Sequence, residues 1–420
     1  MRSCIVKNVK IVPDSTVVPV EKTVRGEKRM KKVGIVSCYF HPNYGSMLQA
    51  YATQKILDDL GVENETICID GIKGELNKAK TRHYLRQIGN PDILAGTILR
   101  IGKRKLYRML KKDTFGKQVS VRNACFQQFS KEQFRVSEAY ASREELTKAC
   151  DGYSSVLVGS DQLWLASNIE ADYYTLTWVP DEVNKIAYAT SFGVSSLPEY
   201  LFEKTKTFLN RIEHIGVREE KGKELVKHYT GRDVPLVCDP TLLFDAEDWM
   251  CIQKQEPVVE GSYIFCYFLG NNTEDRAFAK RLREATGYKI VALLHLDEYI
   301  SKDCDYADET PYEVGPGEFV NLIRNAAYIC TDSFHGSVFS ILHKKQFFTS
   351  MRIRKEGVLC TNNRIDSLFA TLGVEGRKID GSEDVKECMA RTLDYDAIHQ
   401  RIAEFRGASV EYLENALAIQ

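Results

Sequence analysis

Short apolar runs that end in a polar turn and give way to a helical pattern recur along this chain, and that alternation leaves few folds open. Residues 33–39 read as a buried strand, the turn His41-Pro42-Asn43-Tyr44-Gly45 follows, and residues 46–57 carry Leu48, Tyr51, Ala52 and Ile56 at helical spacing. Further strand patterns lie at 66–69, 155–158, 185–190 and 215–217, with helical stretches between several of them. Strands alternating with helices imply an α/β architecture with a parallel, doubly wound sheet. The pattern restarts after Pro240-Thr241: strands are expected at 263–268, 289–294 and 328–331, and a helix at 318–324. Two Rossmann-like lobes facing across a cleft follow, with ligands expected at the loops beyond the strand ends. The corresponding division is a loose N-terminal extension (1–30), an N-terminal lobe (31–240) with a basic helical insertion at about 76–130, a C-terminal lobe (241–390) and a C-terminal helical segment (391–420).

Composition narrows the function classes. Lys and Arg number 57 against 58 Asp and Glu, so no global field selects nucleic acid. No apolar run approaches the roughly 18 residues of a membrane span. The 12 cysteines are scattered, with no C-x-x-C pair, which leaves zinc and redox motifs unsupported and fits a reducing cytoplasm. The first 29 residues lack the apolar stretch of a secretory signal, and Met30 is an alternative start. Thirteen Lys or Arg residues between Lys78 and Arg122 face only Asp92 and Asp113 and alternate with Leu94, Ile98, Ile101, Leu106 and Leu110. Such a basic amphipathic stretch is either a solvated helical face or a contact for anionic lipid head groups or an acidic glycan. Without a series of aromatic residues to stack bases, nucleic acid is disfavoured here too.

Several strand ends carry residues suited to chemistry. Ser333-Phe334-His335-Gly336-Ser337 joins a strand to a helix, setting an imidazole beside helix amides that attract anions; the plain alternative is a helix cap. Asn43-Tyr44-Gly45-Ser46 opens the first helix and offers amides and a hydroxyl to an anion or sugar, or simply caps it. Ser160-Asp161-Gln162 with Trp164 places a carboxylate, an amide and an aromatic wall at one strand end, groups that suit a sugar, while Ser160 or Asp161 also fits an N-cap. Arg218 presents a fork for carboxylate or phosphate, or pairs with Glu219, Glu220 or Asp239. Asp239, before a proline, reads as a structural residue at the lobe joint. Asn362-Asn363-Arg364 begins another helix, which Gly373 ends. Asp303-Cys304-Asp305 has D-x-D spacing but lies in an acidic loop and reads as solvated, so no metal is expected.

Taken in order, N-Y-G-S-M-L-Q-A-Y-A at 43–52, V-G-S-D-Q-L-W at 158–164, G-V-R-E-E at 216–220, C-D-P-T-L-L at 238–243, T-D-S-F-H-G at 331–336 and N-N-R-I-D-S-L at 362–368 resemble the polysaccharide pyruvyl transferase family, from about residue 33 to 375. The resemblance implies a GT-B-like fold and a cytoplasmic enzyme, resting peripherally on an anionic membrane if the basic insertion serves that purpose. Its reaction would move a pyruvyl group from phosphoenolpyruvate to paired sugar hydroxyls, in the building of capsular, extracellular or cell-wall polysaccharide. No cofactor is implied; phosphoenolpyruvate is the donor substrate, and the acceptor is a lipid-linked or nucleotide-linked sugar. His335 and Arg218 match positions expected to contact the donor. His335 is the implied acid, Asp161 the candidate base, and Arg218 with Arg364 the grip on carboxylate and phosphate. Where several relatives resemble G-N-x-G-D-E at the first loop, this chain has Tyr44-Gly45-Ser46-Met47, so that loop supplies no acid. Two other readings are a GT-B-type glycosyltransferase using a nucleotide sugar and a non-catalytic glycan-binding relative.

Overall fold

In the computed structural model, which describes residues 31–86, 115–295, 300–303, 305–352 and 363–419, every pairing between strands is parallel among the described residues. The first sheet contains β1 (Lys32–Val36), β2 (Asn64–Cys68), β3 (Val136–Ala139), β4 (Tyr153–Val158), β5 (Asn184–Thr190) and β6 (His214–Val217) in the order β3-β2-β1-β4-β5-β6. The second contains β7 (Tyr263–Tyr267), β8 (Lys289–Ala292), β9 (Tyr328–Thr331), β10 (Gln346–Ser350) and β11 (Lys378–Ile379) in the order β11-β10-β9-β7-β8. Both orders reverse direction partway, between β1 and β4 in one sheet and between β7 and β9 in the other. Loops diverge at such a switch point and leave a crevice beyond the strand ends. The two doubly wound lobes of the sequence expectation are present, in a GT-B-like arrangement.

The central strands are apolar on both faces because helices cover both faces; all five residues of β7, Tyr-Ile-Phe-Cys-Tyr, are buried. β3, whose Val-Ser-Glu-Ala is mostly exposed, is an edge strand without the alternation that reveals strands in a sequence. Seven helices position the site or join the lobes: α1 (Tyr44–Asp59), α2 (Lys73–Arg86), α3 (Phe115–Gln133), α4 (Pro316–Asn325), α5 (Phe334–Leu342), α6 (Asn363–Leu372) and α7 (Tyr395–Leu417). Helix α5 begins directly after β9 and α1 shortly after β1, as the sequence pattern indicates.

One apolar core runs through both lobes, from Val33 and Leu48 through Trp249 and Phe319 to Leu413. Tyr44 of α1 stacks on Phe319 of α4 at 4.7 Å and donates to the Val314 carbonyl at 3.0 Å. The C-terminal helix α7 spans the joint: Tyr412 donates to Ala187 O of the first lobe, and Arg401 to Leu372 O of the second. Residues 31–420 accordingly cluster as one unit.

The basic insertion lies largely outside the described residues, as does the N-terminal extension. In its C-terminal part, Phe126 and Phe129 of α3 belong to the shared core. Arg122, expected on a solvated or lipid-facing surface, is buried instead and donates to Leu294 O and Pro311 O of the second lobe, at 2.5 and 3.0 Å. Asp303 is likewise not solvated; it is buried between Arg276, at 2.6 Å, and His295, at 3.0 Å.

Candidate active site

The two switch points face one another across a cavity of about 380 Å³. From the first lobe, the loop after β1 and the loop after β4 meet there. Asn43 caps α1 by accepting from Ser46 N at 3.1 Å, which turns the Ser46 hydroxyl outward to donate to Asp161 Oδ2 at 2.5 Å. Asp161 sits at φ 83°, a left-handed conformation that costs a non-glycine residue about 1–3 kcal/mol. Its backbone is held there by Ser191 N and Leu163 N, which donate to its carbonyl, and its Oδ1 accepts from Gln162 N at 2.8 Å. The first loop contributes no acid of its own, yet through Ser46 it is tied to the carboxylate of the next.

From the second lobe comes His335, in the first turn of α5, whose N-cap Ser333 accepts from Gly336 N at 3.3 Å. The imidazole crosses the lobe boundary. Its Nε2 lies 3.5 Å from Asp239 Oδ1, and its Nδ1 side packs on the Cα of Gly45, where a β-carbon would lie 2.0 Å from Nδ1. Gly45 is therefore required by close approach, its own backbone being helical. Asp239 is completely buried and accepts from Ser160 Oγ at 2.8 Å, Arg218 Nη1 at 2.7 Å and Thr241 Oγ1 at 2.7 Å. It joins the hinge, the first lobe and the second-lobe histidine.

The cluster's charges are unevenly satisfied. Arg218 is 1% exposed and meets Asp239 at 2.7 Å, Asp161 at 3.4 Å and Glu219 at 3.6 Å. Burial acts to raise the Asp161 pKa, but Arg218, then His335, the Ser46 hydrogen bond and Arg364 outweigh it and hold the carboxyl at about 2. Asp239 is held well below the usual carboxylate range, against burial, by His335 and then Arg218. Arg364 differs. Buried, and with its guanidinium carbon 5.9 Å from the centre of the Phe334 ring, it forms no ion pair among the described residues, and its Nε has no hydrogen-bond partner. Burial first, then the neighbouring Arg218 and Arg352, push its pKa down to about 9. This cation borders the cavity together with Arg352.

The sequence-derived residues thus divide. Asn43, Ser46, Asp161, Gln162, Ser333, His335 and Arg364 line the cavity. Arg218 does not; it lies behind Asp161 and Asp239 with its fork occupied, so it braces the two carboxylates instead of gripping a ligand. Ser160 is likewise buried on Asp239. Tyr44 is part of the interlobe core, and Gly336 packs tightly against Thr331. Trp164 forms no wall of the cleft: it is fully buried between Phe192 and Phe208 and donates to Tyr174 O. Asn363 opens α6, one residue before Arg364, and does not line the cavity. The sequence reading missed Cys38, Lys80, Tyr84, Phe334 and Arg352. Arg352 lies just past β10 and was open to the same strand-end rule. Lys80 and Tyr84 belong to α2; Lys80 is legible only as one member of the basic run, and Tyr84 carries no local signal. Burial, and then Asp161, push the Cys38 thiol up to about 12, so it is a neutral wall and no nucleophile.

Among the described residues no group of His, Cys, Asp and Glu is arranged to hold a metal ion, and no helix is long and apolar enough to cross a membrane. The nine described cysteines are all free thiols.

Comparison with known proteins gives a family. The family model for polysaccharide pyruvyl transferase matches residues 43–350. No curated protein matches. Among solved structures, the chain is similar to UDP-GlcNAc 2-epimerase from Neisseria meningitidis bound to UDP-GlcNAc, at 12% identity and a TM-score of 0.47 over 93% of this chain and 100% of that one. It is similar to the Methanocaldococcus jannaschii UDP-GlcNAc 2-epimerase in complex with UDP-GlcNAc and UDP, at 11% and 0.47 with the same coverage. The glycosyltransferase SnogD from Streptomyces nogalater matches at 12% and 0.40, over 92% of this chain and 97% of its own.

Proposed function

The chain belongs to the polysaccharide pyruvyl transferase family, and from that premise we propose that it transfers the pyruvyl group of phosphoenolpyruvate to two hydroxyls of one sugar, giving a ketal and inorganic phosphate. The observation that carries the reading is Arg364: a buried guanidinium without an ion-pair partner among the described residues, beside Arg352, in a cavity that also holds His335 and Asp161. A small ligand with a carboxylate and a phosphate supplies what that cation lacks.

The chemistry distributes over the residues as follows. Arg364 and Arg352 hold the donor's two anionic groups. His335 gives a proton to C3 of the enol, leaving C2 with oxocarbenium character; the first sugar hydroxyl bonds to C2 and releases its proton. The second hydroxyl then bonds to C2 as the C2–O bond to phosphate breaks, and its proton leaves with the phosphate or returns through the site. Asp161, ionised and fixed by Ser46 and Gln162, faces the cavity where positive charge develops at C2. Its low pKa makes it a weak proton acceptor in the empty site, so its contribution is electrostatic before it is basic. Arg218 maintains that carboxylate and Asp239 as anions from behind. The acceptor is a lipid-linked or nucleotide-linked sugar used in making capsular, extracellular or cell-wall polysaccharide. The free thiols suit a cytoplasmic site of action, and the basic run from Lys78 onward suits peripheral contact with an anionic membrane.

A thermal-shift series tests the donor. Phosphoenolpyruvate is expected to raise the melting temperature in a salt-sensitive way, with the shift lost in Arg364→Ala. Stabilisation by nucleotide sugars and none by phosphoenolpyruvate would reject the reading in favour of a glycosyltransferase. Incubation with donor and acceptor should produce one phosphate per ketal methyl group detected by NMR.

A further inference from the structure

A second cavity of about 550 Å³ lies on the other side of the loop that borders the first, and Phe40 belongs to the walls of both. This loop turns tightly, with His41 N donating to Cys38 O and Asn43 N to His41 O, so successive residues face opposite ways. Cys38, His41 and Asn43 face the reaction cavity; Tyr39 and Pro42 face the second.

We propose that the second cavity is a subsite for a further sugar unit of the acceptor, so that the acceptor is an oligosaccharide whose chain passes over Phe40. As a statement about the acceptor this rests on the pyruvyl-transfer reading; as a statement about binding it does not. The lining has the chemistry that carbohydrate recognition requires. Helix α3 presents Asn123, Phe126, Gln127 and Ser130 at spacings of three and four residues, one face of the helix. That face sets two amides and a hydroxyl beside an aromatic ring. Asp70 faces it, with a carboxylate able to accept from two neighbouring hydroxyls, and Lys73 holds that carboxylate at 2.6 Å while its Nζ lies 5.0 Å from the centre of the Phe40 ring. The Asn123 Oδ1 acceptor is buried and has no donor among the described residues. The contrast with the first cavity bears on the ligand: there a buried guanidinium has no ion-pair partner among the described residues, whereas here the carboxylate already has its lysine, and the neutral donors and acceptors stand beside one further cation, the exposed Lys131. The volume falls within the roughly 300–1,000 Å³ of small-molecule sites.

The full chain is titrated by calorimetry and saturation-transfer NMR with a panel of tetrasaccharides of glucosyl, galactosyl, mannosyl, N-acetylglucosaminyl and glucuronyl units, and with the matching monosaccharides. At least one tetrasaccharide is expected to bind. Gln127→Ala, at an exposed position, should weaken it about fivefold, the scale of one lost hydrogen bond, and Ser130→Trp, which fills the cavity, should abolish it. Monosaccharide binding and the thermal shift given by phosphoenolpyruvate should be the same in both variants as in the unaltered protein. Unchanged tetrasaccharide affinity in both variants overturns the proposal, as does failure of every panel member to bind at millimolar concentration. If phosphoenolpyruvate gives no shift but tetrasaccharide binding still maps to Gln127 and Ser130, the donor reading fails and the subsite stands.

Discussion

Gly45→Ala is the sharpest perturbation of the catalytic geometry. The added methyl would lie 2.0 Å from Nδ1 of His335, 2.5 Å from Cγ and 2.8 Å from Cε1, where ordinary contact begins at 3.4 Å. Something must move by about 1.4 Å. Helix α1 cannot readily do so, because the neighbouring Tyr44 is stacked on Phe319 and bonded to Val314 O. The imidazole must turn away, leaving its place 3.5 Å from Asp239. Overpacking of this kind costs about 1–3 kcal/mol, partly offset by the roughly 1 kcal/mol advantage of alanine over glycine within a helix. The melting temperature should therefore fall only slightly. Catalysis should suffer far more, since misplacing a reacting group by about 1 Å costs on the order of a hundredfold. Steady-state kinetics should show kcat down by about that factor, with KM for phosphoenolpyruvate little altered because Arg364 and Arg352 are untouched. In a double-mutant cycle with His335→Ala, the second substitution should add almost nothing. Turnover within about threefold of the unaltered protein would refute the assignment of His335 to the chemistry from this position.

Arg364→Met replaces an uncompensated buried charge with an apolar side chain of similar reach, so the ligand-free protein should melt at the same temperature or higher, while stabilisation by phosphoenolpyruvate disappears; a marked loss of ligand-free stability would show that the guanidinium has a protein partner after all. Asp161 predicts an acid limb. Its folded pKa of about 2 lies below the ordinary 3.8 of an aspartate, so its contribution, about 2 kcal/mol, is complete above roughly pH 4 and is lost as pH falls through 2. Thermal melts between pH 5 and pH 2 should flatten in Asp161→Asn relative to the unaltered protein; identical slopes would count against the electrostatic role given to this carboxylate.

The alternation of strands and helices was readable because buried parallel strands are nearly continuous apolar runs, as in β4 and β7, and because the turns that follow them carry cap residues such as Asn43 and Ser333. β3 was not readable, since an exposed edge strand has no apolar face to betray it. Trp164 shows a different limit. A tryptophan three residues past a strand-end aspartate fits a sugar platform and a core filler equally well, and only the packing of Phe192 and Phe208 around it decides. Arg122 shows the same limit on the surface: within a basic run nothing local distinguishes an arginine that turns inward to bind carbonyls of the opposite lobe.

Arg218 and Arg364 make the deeper point about what a site requires. Both are single arginines near the end of a strand or the start of a helix, and a planar fork is all that sequence attaches to either. Their roles diverge because of neighbours far away in the chain. Asp161 and Asp239 converge on Arg218 and complete its shell, so it is already neutralised before any ligand arrives. Arg364, on the facing lobe, receives only the more distant influence of Asp161 and Glu219, and two other arginines oppose its charge. An incoming dianion therefore gains little from the first and most from the second. The buried arginine also makes the second possible: by holding Asp161 ionised, it keeps a negative group beside the place where the transferred carbon becomes positive, so that one cavity can grip an anionic donor and still favour a cationic transition state.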